Sequence, residues 1–317
     1  MKVGLDVGGT KAEAVVVNGD GGIIARVRLA TGWGGEEIVR TVVAAVHAVA
    51  ADAGAGLDAI SSVGIGIPGQ VDPGTGRVSH AVNLGVDELD LAAEVAPALG
   101  VTVRVENDVK AAAVGAYALR GTAHGLDLRH GSMAYLNLGT GVAAGIVVDG
   151  EVWRGAHGTA GEVGHVSVDP AGPLCRCGQH GCVEALAGGG AVAQRWGRPG
   201  RFPVLDVFDA ADAGDETARE LRAGIARGVA AAVRILVLTA DVDVVVLGGG
   251  LTALGDRLLA DVTAELVASA EASPFMRSLR LEERVELLPP GSPAAALGAA
   301  IIGAAHDPRP EEALTHG

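Results

Sequence analysis

The amino-acid sequence predicts an α/β protein of two lobes, and three observations carry that expectation. Its 317 residues, 49% of them hydrophobic, suffice for two cores. Short apolar runs bounded by glycine turns alternate with segments of helical spacing, the pattern of sheets covered by helices. One hairpin design also occurs twice. Sliding the chain by 131 positions lays Asp6-Val7-Gly8-Gly9-Thr10 over Asn137-Leu138-Gly139-Thr140-Gly141, and Ala14 to Asp20 over Gly145 to Glu151. The period is too long for a solenoid and suits two related lobes, each opening on a glycine-turn hairpin. Chance likeness between two Gly- and Val-rich hairpins is the competing reading.

From the N-terminus, Lys2 to Asp6 reads as a strand, Gly8-Gly9-Thr10-Lys11 as a tight loop, Ala14 to Val17 as a strand and Asn18 to Gly22 as a turn. Such a loop offers backbone N–H groups and a hydroxyl to a phosphate, and its glycines permit close approach. An ordinary hairpin turn is the alternative. Glu36 to Ala53 carries Ile38, Val42, Val43, Val46 and Val49 at helical spacing, and Val63 to Ile67 is a strand leading into Pro68-Gly69. Leu89 to Leu99 reads as a helix, Val101 to Val105 as a strand ending in Glu106-Asn107-Asp108, and Val109 to Leu119 as a helix. In an open α/β sheet ligands lie beyond the carboxyl ends of strands, which puts Asn107 and Asp108 where chemistry is expected. Both residue types also cap helices, so the two roles stay open. Val183 to Trp196 and Glu216 to Thr239 read as helices, and Val242 to Leu247 as a strand ending in Gly248-Gly249-Gly250, a weak nucleotide signal. Leu258 to Ala268 and Ala294 to Ile302 complete the helices, and the polar chain from Asp307 is expected to be a loose tail.

The sharpest chemistry lies between Gly161 and Glu184. All three cysteines, Cys175, Cys177 and Cys182, fall within eight positions, and His165 stands ten residues before the first. Three thiolates and an imidazole make a closed tetrahedral set suited to structural Zn²⁺, with Gly178 and Gly181 letting a short loop fold its sulfurs onto one centre. Three unligated thiols are the plainer alternative. Four protein ligands leave no open position for substrate, so the flanking carboxylates Glu162 and Glu184 are the candidates for function.

Composition excludes other classes. A net charge of −14 disfavours a nucleic-acid surface and binding to anionic membranes, both of which need a positive face. No uninterrupted apolar run reaches membrane-spanning length, since Val229 to Leu247 contains Arg234, Asp241 and Asp243. Met1 leads into a strand and not a signal peptide, and clustered, odd-numbered cysteines suit a reducing, cytoplasmic setting.

Taken together, Asp6 to Lys11, Asn107-Asp108, Leu138 to Gly141, Gly161 to His165, Cys175 to Glu184 and Gly248 to Gly250 resemble, in order and across nearly the whole chain, the ROK family of bacterial sugar kinases and repressors. The resemblance implies the two-lobed actin-like (ribonuclease H-like) ATPase fold, with nucleotide and sugar in an interlobe cleft. The expected division is a lobe at 1–118, completed by a C-terminal helix at 294–317, and a lobe at 119–293 that contains the zinc loop 161–184.

The activity implied is ATP-dependent phosphorylation of a hexose at its 6-hydroxyl, glucose first. N-acetylglucosamine or N-acetylmannosamine are alternative acceptors, polyphosphate is an alternative donor, and a sugar-responsive regulator is a more distant reading. Regulators of the family carry an N-terminal helix-turn-helix, whereas here the first phosphate loop starts at Asp6. Asp108 matches the family's catalytic base, and Asp6 the acidic residue that steers Mg²⁺ with ATP. Gly8, Gly9, Thr10 and Lys11 match the first phosphate loop, Gly139, Thr140 and Gly141 the second, and Gly248 and Gly249 the nucleotide side. Gly69, Asn107, Asp108, Glu162, His165 and Glu184 match the sugar-binding set, with His165 giving one ring nitrogen to zinc and the other to a hydroxyl. Hexose and ATP are therefore the expected ligands, without nucleic-acid or membrane partners, in a homodimer or homotetramer such as relatives commonly form. One departure is Val109-Lys110 after the Asn-Asp pair, where relatives often carry small or polar residues. Gly32 to Gly35, with Trp33, matches no sugar signature.

Overall fold

The computed structural model describes residues 1–125 and 130–305, so the expected tail from Asp307 and the far part of the 294–317 helix lie outside the described residues. The chain divides into two compact units, Met1–Gly115 with the chain from Pro293 onward, and Ala116–Ser292.

In the first unit β1 (Lys2–Val7), β2 (Lys11–Val17) and β3 (Ile23–Ala30) form an antiparallel ribbon, followed by helix α1 (Gly35–Asp52) and strand β4 (Ser62–Ile67). A small three-stranded sheet comes next: β5 (Gln70–Asp72), β6 (Arg77–Ala81) and β7 (Val86–Leu89). Then come α2 (Leu91–Leu99), β8 (Thr102–Asn107) and α3 (Asp108–His124), which carries the chain into the second unit. The main sheet runs β3-β2-β1-β4-β8, with β1 parallel to β4 and β4 parallel to β8. α1 buries Ile38, Val42, Val46 and Val49, the face its spacing predicts. Each contributes about 1.5–3 kcal/mol relative to exposure. Several boundaries differ from expectation. Leu89 ends β7 and the helix starts at Leu91, while Glu106 and Asn107 still pair within β8.

The second unit repeats the plan. Strands β9 (Ser132–Leu138), β10 (Val142–Val148) and β11 (Glu151–Trp153) form its ribbon. Helices α4 (Val183–Ala187), α5 (Gly189–Trp196), α6 (Pro203–Asp212) and α7 (Glu216–Ala240) follow. Strand β12 (Val244–Gly248), α8 (Asp256–Ala270), α9 (Pro274–Ser278) and β13 (Val285–Leu287) complete it. Its sheet order, β11-β10-β9-β12-β13, places ribbon and parallel strands as in the first unit. The segment expected as one helix from Val183 to Trp196 is two. Gly188 adopts an extended conformation between them, and a methyl group there would stand 2.7 Å from the Glu184 carbonyl oxygen.

Asp215 caps α7, its carboxylate accepting from the Ala218 N–H at 3.0 Å. Considered as a helix and not as an uninterrupted apolar run, α7 does have the length and composition to cross a membrane, but 56% of its most apolar window is buried. Leu221, Ile225, Val229, Val233 and Leu236 are part of this unit's core. Arg222 ties α7 to its neighbours: it pairs in bidentate fashion with Asp261 of α8, bonds Asp212 of α6 and lies 4.8 Å from the Phe208 ring centroid.

The last described helix, α10 (Ala294–Ala304), returns to the first unit and packs on β1 and β4. Its approach is backbone to backbone. A methyl group on Gly4 would stand 1.9 Å from the Ala296 carbonyl oxygen, one on Gly64 1.8 Å from that of Ala299, and one on Gly115 of α3 1.8 Å from that of Ala294. No side chain other than hydrogen fits these positions.

Candidate functional site

In the first unit the candidate residues gather at the carboxyl ends of β1, β4 and β8. Asn107 makes the capping bonds that its position allows. Its Oδ1 accepts from the N–H groups of Val109 and Lys110 at 3.1 and 3.2 Å, and its Nδ2 donates to the Gly69 carbonyl at 3.1 Å. One amide thus starts α3 and holds the Gly69 loop, whose φ of 106° suits glycine. Asp108 is the first residue of α3, and its Oδ1 accepts from the Val109 N–H at 2.9 Å.

Asp6 sits on β1 opposite Glu13 of β2. Desolvation, followed by the charges of Asp108 and Glu13, pushes the Asp6 carboxyl up to about 7. Glu13 is buried and accepts from both Arg26 and Arg28. A crowded, desolvated carboxylate of this kind gains its charge readily when a divalent cation approaches, so these residues fit a hard cation that arrives with phosphate oxygens. The first glycine loop is closed by Gly8 N–H donating to Lys11 O at 3.0 Å.

The second unit holds the other glycine loop and the cysteine knot. Gly139 N–H donates to Gly141 O at 3.0 Å, and Gly248, on β12, pairs with Asn137 of β9. Gly249 has φ 84°, and a methyl group there would stand 2.7 Å from Asn137 Oδ1. The structure therefore brings Gly139–Gly141 and Gly248–Gly249 together. Gly161 and Gly164 let the Glu162–His165 segment lie against β10, where added methyl groups would stand 1.9 Å from the Ala144 and Val142 carbonyl oxygens respectively. Glu184, in the first turn of α4, reaches the same strand, its Oε2 accepting from the Val142 N–H at 3.0 Å.

His165, Cys175, Cys177 and Cys182 bring their four donor atoms within 4.8 Å of one another. Cys177 Sγ and Cys182 Sγ are 3.6 Å apart, and Cys175 Sγ and His165 Nδ1 3.9 Å. Around a metal with thiolate bonds of about 2.3 Å, tetrahedral sulfurs stand about 3.8 Å apart, so the set fits one metal ion. Gln179 supports it. Its backbone and side-chain N–H groups hold the Cys177 thiol down to about 6, favouring the thiolate a metal needs. Gly178 and Gly181 take φ values of 92° and 63° to close the loop.

Sequence reasoning missed several neighbours. A methyl group on Gly9 would stand 3.1 Å from the Asn83 carbonyl oxygen, so the turn at Val82–Leu84 packs on the first glycine loop. Gly189 and Gly190 donate to the carbonyls of Gly139 and Thr140, both at 2.9 Å. These are backbone contacts, which leave no residue-type signal. Glu106 and Lys110, which flank the Asn107-Asp108 pair and stand out in the sequence, are both buried.

The family model described as "ROK family" matches residues 2–305. The chain belongs to the ROK family. Relatives of this ROK chain include a glucokinase of Halalkalibacterium halodurans, 30% identical over 84% of this chain and 86% of that one. An N-acetylmannosamine kinase of Haemophilus influenzae is likewise 30% identical, over 86% and 89%. Among solved structures, a ROK hexokinase from Thermus thermophilus superposes with a TM-score of 0.76 at 33% identity, covering 96% of this chain and 98% of that one. A ROK family glucokinase from Streptomyces griseus, in complex with glucose and AMPPNP, gives 0.73 at 30% identity, covering 95% and 98%. The fold is thus the two-lobed actin-like architecture of the ROK hexokinases.

Proposed function

We propose that this ROK sugar kinase transfers the γ-phosphoryl group of ATP to the 6-hydroxyl of glucose. The observation that carries the reading is the β8–α3 junction, where Asn107 fixes both the helix start and the Gly69 loop while Asp108 stands at the strand's carboxyl end. Phosphoryl transfer asks the protein mainly for positioning and charge neutralisation, with a carboxylate orienting the attacking hydroxyl. Asp108 takes that role. Mg²⁺, bound with ATP, supplies neutralisation of phosphate charge, and Asp6 is the residue that would hold it, through water. Gly8 to Lys11 and Gly139 to Gly141 receive the phosphates, with Gly248 and Gly249 on the nucleotide side.

Gly69, Asn107, Glu162, His165 and Glu184 bind the sugar. Several fixed polar groups of this sort discriminate among epimers, because a wrong sugar leaves some of them unpaired. Zinc is the metal that the three cysteines and His165 suit best. Nδ1 of His165 faces Cys175, leaving Nε2 for a sugar hydroxyl. Protein purified without chelator is expected to hold one zinc per chain by elemental analysis; less than about half an equivalent would count against the knot. Replacing Cys177 by Ser should release the metal and raise the KM for sugar more than that for ATP. An equal rise in both would mean that the knot does not shape the sugar side.

The second reading, an N-acetylhexosamine kinase, is favoured by the N-acetylmannosamine kinase, which is as similar as the glucokinase. Steady-state rates with ATP across glucose, mannose, N-acetylglucosamine and N-acetylmannosamine decide between them. Glucose is expected to give the highest kcat/KM, and a preference for an acetamido sugar would replace it.

A further inference from the structure

Glu184 reaches the second glycine loop by three routes. Its Oε2 accepts from the N–H of Val142, the residue immediately after the loop, at 3.0 Å. The same oxygen lies over Gly141 so closely that a methyl group there would stand 2.5 Å from it. The start of α5, which follows its helix after Gly188 alone, donates to the loop's own carbonyls, Gly189 N–H to Gly139 O and Gly190 N–H to Thr140 O, both at 2.9 Å. Cys182, from the knot, stands two residues before Glu184 at the start of α4, its carbonyl accepting from the Leu186 N–H at 3.2 Å. The helix that presents Glu184 is therefore fixed at one end by the knot and laid against the phosphate loop at the other.

We infer that Glu184 is a positioning residue for the second phosphate loop and that it couples sugar binding to nucleotide binding. The inference rests on the proposed contact between Glu184 and a sugar hydroxyl. One carboxylate has two oxygens. With Oε2 held by the Val142 N–H, a sugar hydroxyl that donates to the same carboxylate fixes the side chain's orientation, and with it the loop that Oε2 holds. A loop already ordered costs less to fill, so each ligand tightens the other by the same factor. Glu184→Ala removes both oxygens. Glu184→Gln keeps a carbonyl oxygen that can accept from Val142 and so separates the hold on the loop from the charge.

The test is calorimetric titration of the full-length protein with a non-hydrolysable ATP analogue and Mg²⁺, without sugar and with saturating glucose, and with glucose alone. The wild type is expected to bind the nucleotide at least about five-fold more tightly with glucose present. Glu184→Ala should weaken sugar-free nucleotide binding by a similar factor and bring the coupling to unity. Glu184→Gln should restore most of the sugar-free nucleotide affinity, and metal content should equal that of the wild type in both variants. Unchanged sugar-free nucleotide affinity in Glu184→Ala, or coupling that persists in it, overturns the inference. Glucose affinity is read separately. If Glu184→Ala leaves it unchanged, the sugar contact fails and the coupling with it, while weakened nucleotide binding in the same variant would still support the hold on the loop.

Discussion

Asp108→Asn is expected to lower kcat by two to four powers of ten, the range general acid–base groups supply, while glucose binding stays measurable. The substitution keeps the side chain's shape and removes its ability to take a proton. It also leaves the helix start intact, because Asn can still accept the Val109 N–H that Asp108 now accepts at 2.9 Å, and Asn107 supplies the further bonds to Val109 and Lys110. Loss of rate will therefore report on chemistry and not on folding. Rates with saturating glucose and ATP, beside a direct measurement of glucose binding, make the comparison. A variant that keeps most of its kcat excludes Asp108 as the base. One that loses glucose binding as well assigns Asp108 to recognition.

Gly298→Ala is expected to destabilise the first unit by more than about 4 kcal/mol, at the far end of what single substitutions do. A methyl group at this position of α10 would stand 1.8 Å from the Ala111 carbonyl oxygen and 2.6 Å from the Gly115 nitrogen, both backbone atoms of α3 that cannot rotate away. Either the helices part, breaking contacts all along α10, or the chain does not fold. The matched control has the same chemistry and the opposite sign. Gly224, inside α7, has no atom within 4 Å of where its methyl group would go. Gly224→Ala should therefore stabilise the protein by up to about 1 kcal/mol through helix propensity alone. Denaturant unfolding of the two variants beside the wild type tests both. A Gly298→Ala protein with wild-type stability would show that α10 can be lifted from α3 at little cost.

What could be read from the chain before its structure was known depended on whether side chains carried the information. The helical spacing from Ile38 to Val49 and the Gly-rich hairpins at Asp6 and Asn137 encode their structure in residue type, and they fold as expected. The knot announced itself because cysteine and histidine at short spacing have few other uses, and its four donors do converge. The small sheet β5-β6-β7 left no such trace, since its strands are three to five residues long and Arg77, Ser79 and His80 interrupt the apolar pattern. The break at Gly188 was hidden because glycine within an otherwise helical segment is compatible with a continuous helix until a crowded neighbour forbids it. The Glu184–Val142 bond was out of reach for another reason: its partner is a backbone N–H, which every residue but proline carries.

The backbone-to-backbone seat of α10 on β1 and β4 also bears on the order in which the protein can be made. The second unit is encoded without interruption, from Ala116 to Ser292, whereas the first needs the chain from Pro293 onward to cover its sheet. A chain emerging from the ribosome therefore releases β1 and β4 long before their cover exists, and the unit that begins first is completed last. Until α10 arrives, the sheet face that carries Gly4, Gly64 and Val15, the last paired with Gly4 and fully buried in the finished protein, is a surface that chaperones can hold and other nascent chains can stick to.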